Sequence, residues 1–141
     1  MTNRSLEILS INKYTAFDNL FDNQPEGWIG SDVCHSIDLK NNRILFLFGD
    51  TIIGKTYKNE RSQDFKMINN AIGLMNSDRK EPKKMDFFWE IEKEPKSFFK
   101  QPKKMIGDFL WPTNGIVLKD GLYIFCMAVN STPDFSIDID G

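Results

Sequence analysis

The sequence predicts an all-β fold of antiparallel sheets, and three observations lead to this prediction. The first is an apolar run, Ile44–Phe48, that ends at Gly49 and Asp50. Five consecutive large apolar residues leave no polar face, so this run is predicted to be a strand covered on both sides. The second is a succession of four strand-like segments without a convincing amphipathic helix. The third is a hairpin pattern that occurs twice in the chain.

The elements were assigned in chain order from the apolar spacing and the turn residues. Residues 6–21 fit a short helix or an irregular strand equally well, and Tyr14, Thr15 and Phe17 favour extended structure. Residues 22–27 form a turn cluster, residues 55–66 are polar and turn-like, and Asn41-Asn42 suits a hairpin turn because asparagine tolerates positive φ. The strands are predicted at Trp28–Leu39, at the run after Arg43, at Met67–Asn76 and at Asp86–Ile91.

The repeated pattern aligns Ile37–Phe46 with Ile116–Phe125 without a gap. Both copies read Ile-x-Leu-Lys, then a two-residue turn of Asn or Asp with Asn or Gly, then an apolar strand that ends in Phe. The distance between the copies holds one four-stranded sheet and a charged insertion, which is the size of a large propeller blade. The prediction is therefore a β-propeller, with blade 1 at about 28–92, a charged connection at about 93–108 and the start of blade 2 at about 109–141.

A propeller typically closes with about 4–8 blades. The 141 residues are therefore expected to be the N-terminal part of a longer propeller, whose missing C-terminal blades cover the strand Ile124–Val129, or to self-associate through that exposed edge. A self-contained small β-sandwich is the alternative.

Composition and charge exclude several classes of function. A net charge of −2 gives no reason to expect a nucleic-acid partner. One His and two Cys without metal-ligand spacing predict neither a metal nor a cofactor, and Cys34 and Cys126 are expected to be buried, reduced thiols. The short apolar group Leu6–Leu9 is interrupted by Glu7, so neither a signal peptide nor a membrane span is predicted, and the chain as it stands is expected to be cytoplasmic.

Four segments carry a resemblance to a known family: Gly-Ser-Asp-Val-Cys-His-Ser at 30–36, the run through Phe-Gly-Asp-Thr at 45–54, Ile-Asn-Asn-Ala at 68–71 and Trp-Pro-Thr-Asn-Gly at 111–115. They resemble an uncharacterised bacterial domain family that is similar to five-bladed β-propeller glycosidases of the arabinanase-like type and to lectin-like propellers. The resemblance covers nearly all of the chain from Trp28 onward. It implies a five-bladed propeller with a carbohydrate ligand, and relatives of this type are often exported.

The resemblance also implies a pair of catalytic carboxylates. By position Asp32 matches the first-blade carboxylate of such enzymes, which acts as nucleophile or base, and Asp50 is a second acid close by. Glycoside hydrolysis needs two carboxyl groups, one to protonate the leaving oxygen and one to attack the sugar or activate water. The structural alternatives are a turn or cap role for Asp32 and a hydrogen bond within its own turn for Asp50.

Five further residues are candidates for substrate binding: His35, Asn69, Asn70, Trp111 and Asn114. The two adjacent asparagines interrupt an apolar strand, where a buried amide must find protein partners or a ligand. The repeat alignment places Trp111 at the position of Asp32 and Asn114 at that of His35, which predicts one shared pocket, in which Trp111 could stack on a sugar ring. A hydrogen-bonded interior histidine is the alternative for His35, and strand alternation disfavours a dyad with Cys34.

These features predict a carbohydrate-active propeller that hydrolyses a glycosidic bond when full length. The alternatives are a non-catalytic carbohydrate-binding or scaffolding propeller, or an inactive truncated fragment.

Overall fold

The computed structural model describes residues 8, 10–22, 25–58, 60–77, 82–104 and 106–131. Within these ranges the chain forms one helix and twelve strands, and antiparallel pairing throughout confirms the all-β prediction. The elements, in chain order, are α1 (Thr15–Asp22), β1 (Glu26–Ser31), β2 (Cys34–Asp38), β3 (Arg43–Phe48), β4 (Thr51–Tyr57), β5 (Glu60–Arg61), β6 (Lys66–Ile68), β7 (Ala71–Ser77), β8 (Pro82–Phe88), β9 (Glu90–Ile91), β10 (Pro95–Lys96), β11 (Phe109–Leu118) and β12 (Gly121–Val129).

The main sheet has four antiparallel strands in the order β2-β3-β7-β8. Its central strand β3 pairs with β2 on one side, where Ile37 faces Leu45, and with β7 on the other, where Leu47 faces Ile72. The segment between β3 and β7 leaves this sheet, because β4 pairs with β1, β5 and β6 in a second sheet. The predicted polar turn at 55–66 therefore contains the end of one strand and all of another.

The predicted single strand Trp28–Leu39 is wrong, because it is divided between two sheets. Its first part, β1, pairs with β4, and its second part, β2, pairs with β3. The division falls at Val33, whose φ of 55° is incompatible with a continuing strand.

The predicted extended structure before Asp22 is also wrong, since Thr15–Asp22 is an α-helix. The side chains of Phe17 and Phe21 pack against Phe46, with Phe21 edge-on at a centroid distance of 5.9 Å. Residues four apart share one face of a helix, so burying this aromatic face overrides the weak strand preference. No helix in the described part of the chain has the length and apolar character needed to cross a membrane.

The main sheet has a core on each face, as the apolar run after Arg43 predicts. Phe46 and Phe48 belong to a cluster on the side of α1, together with Trp28 and Ile53. The alternate residues Leu45 and Leu47 belong to a second cluster, whose other members include Ile37, Ile72, Phe99 and Ile124. Strand β3 is therefore covered on both sides.

The second hairpin, β11–β12, packs against β2 at Gly115. A Cβ atom on Gly115 would lie 2.4 Å from Cδ1 of Ile37 and 2.7 Å from the backbone oxygen of Tyr123, and the backbone contact in particular requires glycine here. Both predicted hairpins are present, but the gapless alignment between them fails at the turn. In the first hairpin the last pair before the turn is Asp38 with Ile44, whereas in the second it is Leu118 with Gly121.

The first turn is longer because Lys40, Asn41 and Asn42 all have positive φ, at 66°, 52° and 62°. The second turn consists of Lys119 and Asp120 alone. Residues after the two turns are consequently shifted by one position relative to the predicted equivalence.

Candidate functional site

Asp32 and Asp50 lie at the end of the main sheet where β2 begins and β3 ends. The backbone N–H of Asp32 donates to the carbonyl of Asp50 at 2.8 Å, and the N–H of Gly49 donates to the carbonyl of Asp32 at 3.0 Å. These two bonds join the segments between the pair Ser31–Thr51 of the second sheet and the pair Cys34–Phe48 of the main sheet. The two predicted acids therefore meet at one point of the fold.

Two neighbours fix the backbone at this junction. Val33 has a φ of 55°, which is a strained conformation for a β-branched residue, and its side chain is 49% exposed. Thr51 is fully buried, and its hydroxyl donates to the carbonyl of Gly49 at 2.7 Å. This bond does not involve the Asp50 carboxylate, which can only accept hydrogen bonds. Neither the strain nor this bond has a signal in the sequence.

The side chain of Asp50 instead reaches the second hairpin. The indole Nε1–H of Trp111 donates to Oδ1 of Asp50 at 2.9 Å. Both side chains are half-buried, and a hydrogen bond to a carboxylate is stronger than one between neutral groups. This contact joins the end of β3 to β11 and places an aromatic ring beside the carboxylate.

Strand β11 runs along β2 in the same direction. Trp111 lies at the Asp32–Asp50 junction where β2 begins, and Gly115 lies on Ile37 near the end of β2. His35 and Asn114 fall between these two contacts on their respective strands. His35 is exposed and not an interior residue, which corrects one of the two interpretations of it. Asn114 is also exposed, and its Oδ1 accepts a hydrogen bond from the N–H of Gly115 at 2.7 Å.

Asn70 has a structural role, contrary to the prediction of a substrate contact. Its side chain is fully buried, and its Nδ2 donates to the carbonyls of Leu110 at 2.8 Å and Phe99 at 3.2 Å. Its Oδ1 accepts from the N–H of Phe99 at 2.7 Å. These bonds leave no polar atom for a ligand at the surface. The bond to the carbonyl of Leu110 also fixes the backbone directly before Trp111.

Asn69 faces a different part of the molecule. Its backbone N–H donates to Oγ of Ser97, and the residue lines a cavity of about 330 Å³ together with Glu90, Lys96 and Lys100. Neither Asp32 nor Asp50 lines this cavity. The structure therefore brings Asp32, Asp50 and Trp111 together and places His35 and Asn114 further along the two neighbouring strands. Asn70 is buried behind Trp111, and Asn69 lines a different cavity.

The cysteines do not supply a nucleophile. Both are free, and Cys34 is exposed while Cys126 is half-buried, so the expected burial of both residues is wrong. Burial around the sulfur raises the pKa of the Cys34 thiol above its ordinary value, and it does the same for Cys126. A raised pKa keeps a thiol protonated at neutral pH and makes it a poor nucleophile. Among the described residues no three His, Cys, Asp or Glu side chains are grouped to hold a metal ion.

Comparison with solved structures shows a relative of the same fold. A crystal structure of a "putative hydrolase" from Bacteroides ovatus covers 84% of this chain with a TM-score of 0.66 and 16% sequence identity. The present chain spans 34% of that chain, about a third of its length. At this identity the likeness concerns the fold alone.

The sequence predicted membership of an uncharacterised domain family, and comparison with family models confirms it. A search of curated proteins finds no match to the chain. The chain belongs to the family described as a domain of unknown function, DUF5005, whose model matches residues 14–141.

Proposed function

We propose that this chain forms the first blade and the start of the second blade of a five-bladed β-propeller that binds a carbohydrate and, when full length, hydrolyses a glycosidic bond. The proposed site lies where Asp32, Asp50 and Trp111 meet. The observation that carries the proposal is the 2.9 Å hydrogen bond from Trp111 to Asp50, which joins two sheets through a carboxylate and an aromatic ring.

The arrangement of strands supports the propeller. Strand β2 is the edge of a four-stranded antiparallel sheet, and β11, which opens the next hairpin, lies beside it in the same direction. In a propeller each blade repeats the previous one, so the first strands of neighbouring blades run in the same direction around the central channel. The site would then lie at one end of that channel, with the remaining blades supplied by the rest of a longer chain.

The roles of the residues follow from their positions. Asp32 is exposed and would act as nucleophile or base, with Asp50 as the second acid. Trp111 orients the Asp50 carboxylate and offers its ring to the apolar face of a sugar. His35 and Asn114, exposed on the two adjacent strands, would contact sugar hydroxyls, while the general acid would come from a later blade.

A non-catalytic carbohydrate-binding propeller is the second candidate, and one observation favours it. Oδ1 of Asp50 already accepts the indole hydrogen of Trp111, so this carboxylate is suited to accept hydrogen bonds from sugar hydroxyls in a fixed orientation. Such a site would hold a sugar without turnover.

A glycan-array screen combined with a reducing-sugar assay separates these functions, using the full-length protein and its Asp32→Asn, Asp50→Asn and Trp111→Phe variants. We expect binding and hydrolysis by the wild type, with hydrolysis lost and binding kept in Asp32→Asn. Trp111→Phe, which removes the indole hydrogen bond and leaves a smaller aromatic ring, should weaken binding about tenfold, corresponding to ~1.4 kcal/mol. Binding by the wild type and Asp32→Asn without hydrolysis by either would reject the enzyme in favour of the binding module. Absence of binding would reject both.

A further inference from the structure

Two open cavities meet at Trp89, on the face of the main sheet that packs against α1. The first, of about 410 Å³, is lined by Asn19, Trp28, Lys84, Asp86 and Phe87. The second, of about 540 Å³, is lined by Gly27, Ile53, Lys55, Ser62 and Asp64. Glu26 and Trp89 line both cavities, so the two form one continuous depression, which we call the Trp89 groove.

The groove contains a buried hydrogen-bond donor that lacks an acceptor. Trp28 is 7% exposed, and its indole Nε1 has no hydrogen-bond partner among the described residues. Its ring is stacked on Phe87 at a centroid distance of 4.4 Å, and both rings line the first cavity. Leaving a buried N–H unpaired costs about 1–3 kcal/mol. The Nε1 atom has almost no accessible surface, so a molecule in the open cavity would meet the rings of Trp28 and Phe87 and not this donor.

Trp89 offers an aromatic surface between the two cavities. It is only half-buried, and Gly27 lies next to its ring. Gly27 has a φ of 104°, and a Cβ atom there would lie 3.2 Å from Cη2 of Trp89. The indole ring therefore occupies space that a side chain at position 27 would take. A supported, partly exposed indole ring packs well against a flat apolar face such as that of a pyranose ring.

The charged side chains that line the groove sum to zero, with Glu26, Asp64 and Asp86 against Lys55, Lys66 and Lys84. Lys55 lies 3.3 Å from Glu26, and Lys84 lies 2.6 Å from Asp86. Lys66, at the end of the second cavity, pairs with Glu94 at 3.4 Å. Paired charges do not attract an ionic ligand, but they remain strong donors and acceptors for hydroxyl groups. This rim fits a neutral, hydroxyl-rich molecule.

We propose that the Trp89 groove binds a neutral oligosaccharide, with one sugar ring stacked on Trp89 and the rest of the molecule lying over the stacked rings of Trp28 and Phe87. The groove shares no residue with the Asp32–Asp50 site. It lies on the face of the sheet that carries Phe48, whereas the second hairpin packs on the face that carries Ile37. Sugar binding in the Trp89 groove therefore does not depend on sugar binding at the Asp32–Asp50 site.

Isothermal titration calorimetry tests this proposal with four neutral probes: xylohexaose, cellohexaose, mannohexaose and arabinohexaose. We expect at least one to bind the 141-residue chain. Trp89→Ala should lower the affinity at least tenfold. Trp28→Phe, which keeps a smaller aromatic ring in the floor of the first cavity, should lower it less than Trp89→Ala does. Tyr123→Ala is the matched control, since it removes an exposed aromatic ring outside both sites, and it should leave the affinity unchanged. Trp111→Phe is measured as well, because a loss of affinity in this variant alone reports binding at the Asp32–Asp50 site.

A third variant guards against a folding defect. Asn19 is exposed on α1 and lines the groove, so Asn19→Trp would fill the first cavity from the surface without disturbing the core. Circular dichroism reports the fold of each variant, and Asn19→Trp decides the question if Trp89→Ala unfolds. The proposal is overturned if no probe binds, if the groove variants bind as the wild type does, or if only Trp111→Phe loses affinity. The last outcome would place the sugar in the Asp32–Asp50 site.

Discussion

Replacing Asn70 with alanine should destabilise the protein more than any conservative surface change. The Asn70 amide is fully buried and bonds three backbone groups: the carbonyls of Leu110 and Phe99 and the N–H of Phe99. Phe99 and Leu110 are 29 and 40 residues further along the chain, so these bonds join distant segments. Removal of the amide leaves these three groups without partners.

The expected cost follows from these contacts. A buried polar group without a partner costs about 1–3 kcal/mol, so three such groups cost about 3 kcal/mol at the lower limit. We take this limit because the loop at Phe99 is only half-buried, so water can replace part of what is lost. A whole domain of this kind is stable by about 5–15 kcal/mol, so the loss is a large fraction of the total.

Urea unfolding measures this effect. With a slope of about 1–3 kcal/mol/M, a loss of ~3 kcal/mol lowers the midpoint by about 1–3 M. Hydrogen exchange of the Phe99 amide, which donates to Oδ1, should accelerate in the same variant. Asn69→Ala is the matched control, since it changes the same residue type one position earlier on a half-buried side chain, and it should cost less than about 1 kcal/mol. Equal losses in the two variants would refute the assignment of Asn70 as the link between β7 and β11.

Three further predictions concern separate parts of the chain. Val33→Asn should raise the free energy of unfolding by about 1 kcal/mol, because asparagine tolerates positive φ better than valine, and a lower urea midpoint would contradict this. The N–H and ammonium of Lys40 hold the pKa of Asp38 below its ordinary value. The Asp38–Lys40 contact therefore contributes to stability above the unfolded-state pKa of Asp38, and this contribution is lost as the pH falls through the folded-state pKa. A carbon-13 NMR titration should give a depressed midpoint, and an ordinary one would contradict the contact. Phe125→Lys with Met127→Lys should reduce self-association of the chain, since these side chains are 58% and 51% exposed on β12, and unchanged sedimentation across concentrations would exclude this surface.

The features that the sequence predicted correctly depend on local patterns. A short, uninterrupted apolar run is typical of a strand buried on both faces, and β3 is such a strand. The hairpins were also predictable, because asparagine, aspartate and glycine mark their turns. The length of the first turn was not predictable. Lys40 extends that turn as a third residue with positive φ, and lysine has no preference for this conformation.

The features that the sequence did not predict depend on contacts between distant segments. The short segment before Asp22 could have been helix or strand, and the aromatic cluster around Phe46 decides for a helix. The strand breaks at Val33 because the chain passes from one sheet to the other there, and the residues around Val33 give no local signal of this change. Asn70 was correctly singled out as a polar residue in an apolar strand, but its partners lie in a loop and a strand that only the fold brings close.

Asp50 shows how the repeat and the site are connected. The second hairpin has no acid at the equivalent end, so the repeat alone does not explain this carboxylate. The structure supplies a reason, because Trp111 of the second hairpin donates its indole hydrogen to Asp50 and so joins the two repeats. Asparagine at this position would keep an acceptor oxygen for Trp111 but lose the charge. Unchanged binding and hydrolysis in Asp50→Asn would therefore identify a purely structural acid, whereas a loss of hydrolysis with an intact fold would show that its charge serves the chemistry.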